Sequence, residues 1–483
     1  MVIKNFAYEG LMRFFEEISA IPRASYKEEK IADYLCDFAK QRGLEYYRDA
    51  NNNVLINAPA TKGMENTPAI LLQGHTDMVC EKNEGVEHDF DNDGLKLYEE
   101  DGWIKAEGTT LGADNGVAVA IMLYVLDGGV ERHGAIQCLF TASEEVGLDG
   151  AQSFDYSRVY ARKMINMDSA DENLIIVGCA GGMRSNFSFD VKSEEIVAPA
   201  LIKLSVKGLM GGHSGEDIDK GRANANKLMA RLLGKVLGDA EVGARVVSIY
   251  GGSKDNAIPR ECEAMLSISD LDRFGDVISD EGQKLSHGLS DFDKNLFIGI
   301  KLIGRDTKVA CPNKATAEKL VDFVVCVPNG VFEMNYSVQG IVEWSRNLGV
   351  LTLDANRAEC VFASRSSFES RLDASGEQLD AFARLCGAKV RHYNRYPGWN
   401  FAEVSPLRDA WSAACGKILG KTPDILAIHA GLECGFIKQA VPDMDIISAG
   451  PVILDLHSPD ERLDKKSFER FFAVVKDVIE NNN

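Results

Sequence analysis

What this chain lacks narrows its function before any motif is read. It has no apolar run of about 18 residues, so no membrane span is expected. Positive charge is scarce: 53 Lys and Arg stand against 73 Asp and Glu, a net charge of -20. That balance argues against nucleic acid or an anionic membrane as a partner, and fits an acidic protein able to hold cations. Met1 to Gly10 has no basic segment followed by an apolar one, so no signal peptide is read there. The eleven Cys are scattered from Cys36 to Cys434 without a CxxC pair. They read as reduced, mostly buried thiols of a cytoplasmic protein. There is no low-complexity tract and no long Pro-rich linker. Histidine is rare, with eight in the chain.

What is present is a sizeable core. The 483 residues are 45% hydrophobic, enough for about two to four average domains. Asn5 to Ile18 reads as a helix, stopped by Ile21-Pro22-Arg23. Ser25 to Arg42 reads as a second, with Ser25 as N-cap and Glu28 three residues on. Short apolar strands are expected at Asn53–Asn57, Ala69–Gln73, Ala135–Thr141, Met164–Met167 and Ile446–Ala449. Val117 to Leu126 is a small-residue apolar helix, and Lys465 to Asn481 closes the chain as another.

The strands end in side chains of one chemical kind. Leu71-Leu72-Gln73-Gly74 runs into His75-Thr76-Asp77. Ala135–Thr141 runs into Ser143-Glu144-Glu145, and Met164–Met167 into Asp168. Asp114 precedes the 117–126 helix, and His457 follows the 446–449 strand in a loop. Each has a bland reading: Asp114 as a helix N-cap, Glu144 and Glu145 as a solvated loop, Asp168 as a turn. Together they are harder to dismiss, because open α/β sheets build sites at the carboxyl ends of their strands. The set can serve two metal ions, each with about three protein ligands and an open position for water. Mixed N and O donors favour Zn²⁺, with Mn²⁺ or Co²⁺ able to substitute. Asp77 can accept the second ring N–H of His75 and fix its orientation.

Gly74-His75-Thr76-Asp77, Gly112-Ala113-Asp114-Asn115-Gly116, Ser143-Glu144-Glu145-Val146-Gly147, Asp168 and His457 stand in a recognisable order. Over nearly its whole length the chain resembles the M20 di-zinc metallopeptidases, most closely their bacterial aminoacyl-histidine dipeptidase branch. The resemblance implies an α/β fold: a catalytic domain of mixed sheet flanked by helices, formed by residues 1–184 and 393–483. An α+β lid of ferredoxin-like repeats would be inserted at 185–392. It implies that His75 and Asp168 complete one zinc site, that Glu145 and His457 complete the other, and that Asp114 bridges, with a cis peptide bond after it. Glu144 would be the general base and Asp77 the group behind His75. The implied activity is hydrolysis of small dipeptides with free ends, Xaa-His among them. An N-acyl-amino-acid deacylase, a tripeptidase and a non-catalytic binding protein remain as alternatives.

The insertion carries its own candidates. The resemblance implies that His213, in Gly211-Gly212-His213-Ser214-Gly215, stabilises the oxyanion, and that Asn256 and Arg365 face the substrate. His429 and Gly431 lie in a Gly-rich motif, Ile428 to Gly435, whose N–H groups can meet a carboxylate. Without the resemblance His213 reads as a loop histidine in a Gly-rich turn, and Asn256 and Arg365 read equally well as surface-loop residues. The lid shows a faint repeat. Leu201–Val206, the helix Gly221–Val236 and the strands Arg245–Tyr250 and Glu261–Ser269 are one copy. A strand Asp322–Val327, a helix Ser337–Asn347 and a strand Glu359–Ser364 are the other. A doubled lid tilts the expectation toward a site closed within one chain, as a monomer or a homodimer. His88, His133, His287 and His392 carry no motif and read as structural or exposed.

Overall fold

The computed structural model describes residues 2–336, 338 and 340–482. The chain forms two compact units. The first comprises 1–178, 399–427 and 432–483, and the second 179–398 and 428–431.

The first unit is built on an eight-stranded sheet. Its order is Glu45–Arg48, Val54–Ala58, Ile136–Thr141, Ile70–His75, Lys163–Asn166, Asp445–Ser448, Leu174–Cys179, Asp424–Ile428. The four strands 136–141, 70–75, 163–166 and 445–448 run parallel. Their carboxyl ends therefore emerge on one side, with His75 opposite Thr141. The 70–75 and 136–141 strands are buried along their whole length, as expected of parallel strands covered on both faces. The helix Ala113–Tyr124 lies directly on this sheet. A Cβ at Gly74 would sit 2.4 Å from the Ala118 Cβ, so glycine there sets the spacing between helix and strand. Closing helix Lys465–Glu480 packs Phe468 and Phe472, both fully buried, among Phe6, Tyr8, Phe15 and Tyr124.

The second unit is a nine-stranded antiparallel sheet with four main helices: Ala225–Gly238, Leu271–His287, Lys314–Cys326 and Glu369–Cys386. Its core is aromatic at the centre. Phe187 stacks on Phe323 at 3.8 Å between centroids, with Phe362 and Phe382 edge-on to Phe323.

In the second unit the first copy of the expected repeat forms its elements; of the second copy the strand over Glu359–Ser364 forms, within Ala358–Ser366, and the other two elements do not. A helix, Lys314–Cys326, occupies the region read as the strand Asp322–Val327. Asn313 caps it by accepting from Thr316 N–H at 2.9 Å, and Phe323, Val324 and Val325 are simply its last turn. Conversely, Val342–Leu353 is a strand where the sequence pattern predicts a helix over Ser337–Asn347; Ser337 and Gln339 lie outside the described residues. Glu343, Arg346 and Asn347 made that stretch look amphipathic. All three are buried and partnered: Glu343 accepts from Ser366 at 3.0 Å, Arg346 donates to Ser375 O at 2.9 Å, and Asn347 to Ala257 O at 2.7 Å. The second N-terminal helix also starts late, at Glu29. Ser25 does not cap it, for a reason that belongs to the site. Among the described residues no disulfide joins any of the eleven cysteines, and no described helix is long and apolar enough to cross a membrane.

Candidate metal centre

The parallel strand ends bring the sequence's candidates together. His75, Asp114 and Asp168 form one group of converging donor atoms. Asp114, Glu145 and His457 form another, and His75, Glu144 and Glu145 a third. His75 Nε2 lies 3.0 Å from Asp114 Oδ1 and 3.5 Å from Asp168 Oδ1. His457 Nε2 lies 3.1 Å from Glu145 Oε1 and 3.4 Å from Asp114 Oδ2. Asp114 thus presents one oxygen to each group. The Asp114–Asn115 peptide bond is cis.

Asp77, fully buried, organises the other side. Its Oδ1 is 3.2 Å from His75 Nδ1 and accepts the Glu144 N–H at 3.0 Å. Its Oδ2 accepts from Ser25 Oγ at 2.7 Å and from the Glu145 N–H at 3.3 Å. Ser25 therefore serves Asp77 instead of a helix end. Burial alone would raise the Asp77 carboxyl, but His75 and these donors outweigh it and hold it below its usual value. With Nδ1 so occupied, His75 turns Nε2 toward the carboxylates.

The electrostatics are those of crowded ligands. Burial would lower the His75 imidazolium, yet Asp168, Asp114 and Asp77 raise it well above its usual value. His457 is raised to about 10 by Asp114 and Glu145. Asp168 is pushed up to about 6 by burial and its neighbour Asp114. Glu144, partly buried, is raised well above the usual range by burial and by Asp168, Glu433 and Glu145.

These residues fit a pair of divalent cations. Glu145 Oε1 is buried and makes no hydrogen bond, although His457 Nε2 stands 3.1 Å away. An imidazole nitrogen facing a carboxylate oxygen that closely, without hydrogen-bond geometry, is the disposition of two ligands of one ion. The donor set, imidazole and carboxylate, suits zinc and its first-row neighbours.

The remaining candidates gather inside the second unit. Gly212–His213 pairs with Ala257–Ile258, and Ser214 N–H donates to Asn256 O at 2.8 Å. Arg365, buried on the strand Ala358–Ser366, donates to Tyr396 Oη at 3.0 Å and leaves its Nε without a partner. Opposite it in the ladder is Ser345, whose Oγ is 2.7 Å from His429 Nε2. Burial and the Arg365 charge push the His429 imidazole down to about 3, so it is neutral at ordinary pH. His213 is lowered by the same two causes. Gly431 ends the same four-residue segment, 428–431, as His429.

Four buried ionisable residues at the site carry no site role in the sequence reading. Glu28 accepts from Ser143 N–H and Oγ at 2.8 and 2.7 Å. Glu433 accepts from Gln73 Nε2 at 2.6 Å and Thr141 Oγ1 at 2.7 Å beneath the strand ends, where burial raises it to about 7. Arg23, read as a helix stop, bonds the backbone oxygens of Thr76, Asp77 and Gly112. Glu461 receives the N–H groups of residues 111 to 114. Only the Glu28 and Glu433 neighbourhoods carried a motif that could have flagged them.

The chain is similar to known proteins. Residues 71–481 match peptidase family M20/M25/M40. Over 477 residues the chain is 37% identical to a cytosol non-specific dipeptidase of Escherichia coli, covering 98% of this chain and 97% of that protein. Its fold matches that of an aminoacylhistidine dipeptidase from Vibrio alginolyticus with a TM-score of 0.92, at 35% identity and with 99% and 98% of the two chains covered. An aminopeptidase, PepT, from Bacillus cereus shares the fold at a TM-score of 0.56 and 17% identity, with 98% of each chain covered.

Proposed function

The chain belongs to peptidase family M20/M25/M40, and from that premise we propose that it is a cytoplasmic, zinc-dependent dipeptidase hydrolysing unblocked dipeptides, Xaa-His among them. It is a hydrolase acting on peptide bonds. The observation that carries the reading is Asp114 shared between two donor groups, with Glu144 and Glu145 adjacent in one turn beside both. His75 and Asp168 would hold one cation, Glu145 and His457 the other, and Asp114 both. When bound, the cations supply Lewis acidity toward the scissile carbonyl and the attacking water.

The chain's own groups do the rest. Glu144 takes a proton from the water and returns one to the leaving amine, a task suited to a carboxylate made more basic by burial. Asp77 fixes the His75 ring and, through the Glu144 N–H, the backbone that carries the base. In the second unit, the neutral His213 is assigned to the oxyanion. Arg365 is assigned to the substrate carboxylate through its unpartnered Nε. Asn256, His429 and Gly431 are assigned to substrate contacts.

Glu144→Gln tests the reading. It should abolish turnover of Ala-His and leave two zinc ions bound per chain; near-normal kcat would refute the assigned base. A panel of Ala-His, Leu-Gly, Ala-Ala-Ala and N-acetyl-Met, assayed after chelation with and without added Zn²⁺, separates dipeptidase from tripeptidase and deacylase.

A further inference from the structure

Arg23 and Glu461 are each 2% exposed, of opposite charge, and bond to peptide groups instead of to each other. The Glu461 carboxylate is bidentate. Oε2 accepts from Leu111 and Gly112 N–H at 2.8 and 2.9 Å, and Oε1 from Ala113 and Asp114 N–H at 2.9 and 3.4 Å. The helix Ala113–Tyr124 has no side-chain cap of its own. The N–H groups of the loop that leads into it, residues 111 to 114, are satisfied instead by a carboxylate some 350 residues away in sequence. Glu461 lies four residues after His457, in a turn closed by Glu461 N–H to Ser458 O at 3.0 Å and Ser458 Oγ to Asp455 O at 2.7 Å.

Arg23 ties the same loop to a second place. Nη2 donates to Gly112 O at 2.6 Å, and Nη1 to Thr76 O and Asp77 O at 3.1 and 3.3 Å. Two glycines of the Gly112-Ala113-Asp114-Asn115-Gly116 stretch clear a path for the guanidinium. A Cβ at Gly112, where φ is +62°, would lie 2.5 Å from Nη2, and one at Gly116 would lie 3.0 Å from it.

We propose that Arg23 and Glu461 are positioning residues that lock the Asp114 peptide loop to the His75–Asp77 strand end on one side and to the His457 turn on the other, and so set the metal affinity of the site. The proposal rests on the metal-site reading above. Neither residue touches a donor atom of the candidate ligands; both act through backbone. Three ligand-bearing segments from distant parts of the chain are held by two side chains, and loosening either lets Asp114 drift from one donor group. Groups that orient metal ligands this way ordinarily change affinity by about 10- to 100-fold when removed.

The test is competition for Zn²⁺ against a chromophoric chelator, with kcat and KM for Ala-His at saturating zinc, on the full chain. Wild type is compared with Glu461→Gln, Arg23→Lys, Gly116→Ala and, as control, Arg408→Gln. Arg408 is also buried in the first unit and donates to two backbone oxygens, of Ala402 and Glu403, with no ligand segment involved. Glu461→Gln should weaken zinc binding by about 10- to 100-fold and lower kcat more than it raises KM. Arg23→Lys should do the same to a smaller extent, and Arg408→Gln should lower the melting temperature with zinc affinity unchanged. Gly116→Ala removes no charge and only displaces the guanidinium. It keeps the test decisive if the other variants fail to fold, and it should weaken zinc binding measurably. Zinc affinity within twofold of wild type in the folded variants overturns the clamp while leaving the functional reading intact. An equal loss in Arg408→Gln also overturns it, as mere stability. A wild-type protein that binds no zinc sinks both.

Discussion

His429 offers a stability prediction whose sign and size follow from its surroundings. The imidazole is buried, its Nε2 faces Ser345 Oγ at 2.7 Å, and burial with the Arg365 charge holds its pKa at about 3 against an ordinary 6.5. Between those values the unfolded chain binds a proton that the folded chain refuses. Stability from this residue is therefore fully present above pH 6.5 and declines as the pH falls, by roughly 1.4 kcal/mol per unit. At pH 4.5 the loss is roughly 3 kcal/mol, and its ceiling near pH 3 is roughly 5 kcal/mol by the same arithmetic. His429→Gln keeps a polar group opposite Ser345 and removes the titration. Urea unfolding of metal-free wild type and variant at several pH values between 7.5 and 4.5 gives a difference in which all shared groups cancel. Wild type should lose ground to the variant with falling pH at that slope. A difference that stays constant with pH would refute the reasoning, since it would mean that His429 titrates alike in both states.

Two further outcomes are expected. Glu433 has the opposite sign: burial raises it to about 7 from 4.5, so the fold holds its proton and stability declines as pH rises through that window. Glu433→Gln should unfold like wild type at pH 4.5 and be more stable at pH 8 by up to roughly 3 kcal/mol, read by chemical denaturation of the chelated protein. Gly74→Ala drives a Cβ to 2.4 Å from Ala118, and separating strand from helix should cost about 1–3 kcal/mol. Because His75 is the next residue, thermal melts of this variant should also show a smaller stabilisation by added zinc.

The legible parts of the chain were those where local pattern and tertiary environment agree. The strands ending at His75 and Thr141 are apolar runs because both faces are covered, and their polar termini stand out for that reason. Val342–Leu353 was illegible because its polar residues are buried and matched by partners from other elements, which no local window contains. Lys314–Cys326 ends in β-branched and aromatic residues that favour strands, yet the Asn313 cap and packing of Phe323 in the core of the second unit decide for helix. Ser25 and Glu28 carry the spacing of a capping box but serve Asp77 and Ser143. Arg23 and Glu461 show most clearly why the site could not be read in full. A buried charge that bonds only backbone has no partner residue in sequence to betray it.

The four donors converging on Asp77 couple features usually treated as separate. The orientation of the His75 ring and the backbone bearing Glu144 and Glu145 hang from one carboxylate, so ligand geometry and base position move as a single mechanical degree of freedom. An attempt to retune metal preference at His75 or Glu145 will therefore shift the base as well, and substitutions at these positions will not act additively. Arg365, assigned to the substrate carboxylate, is free of that constraint, because it is carried on a strand of the other sheet.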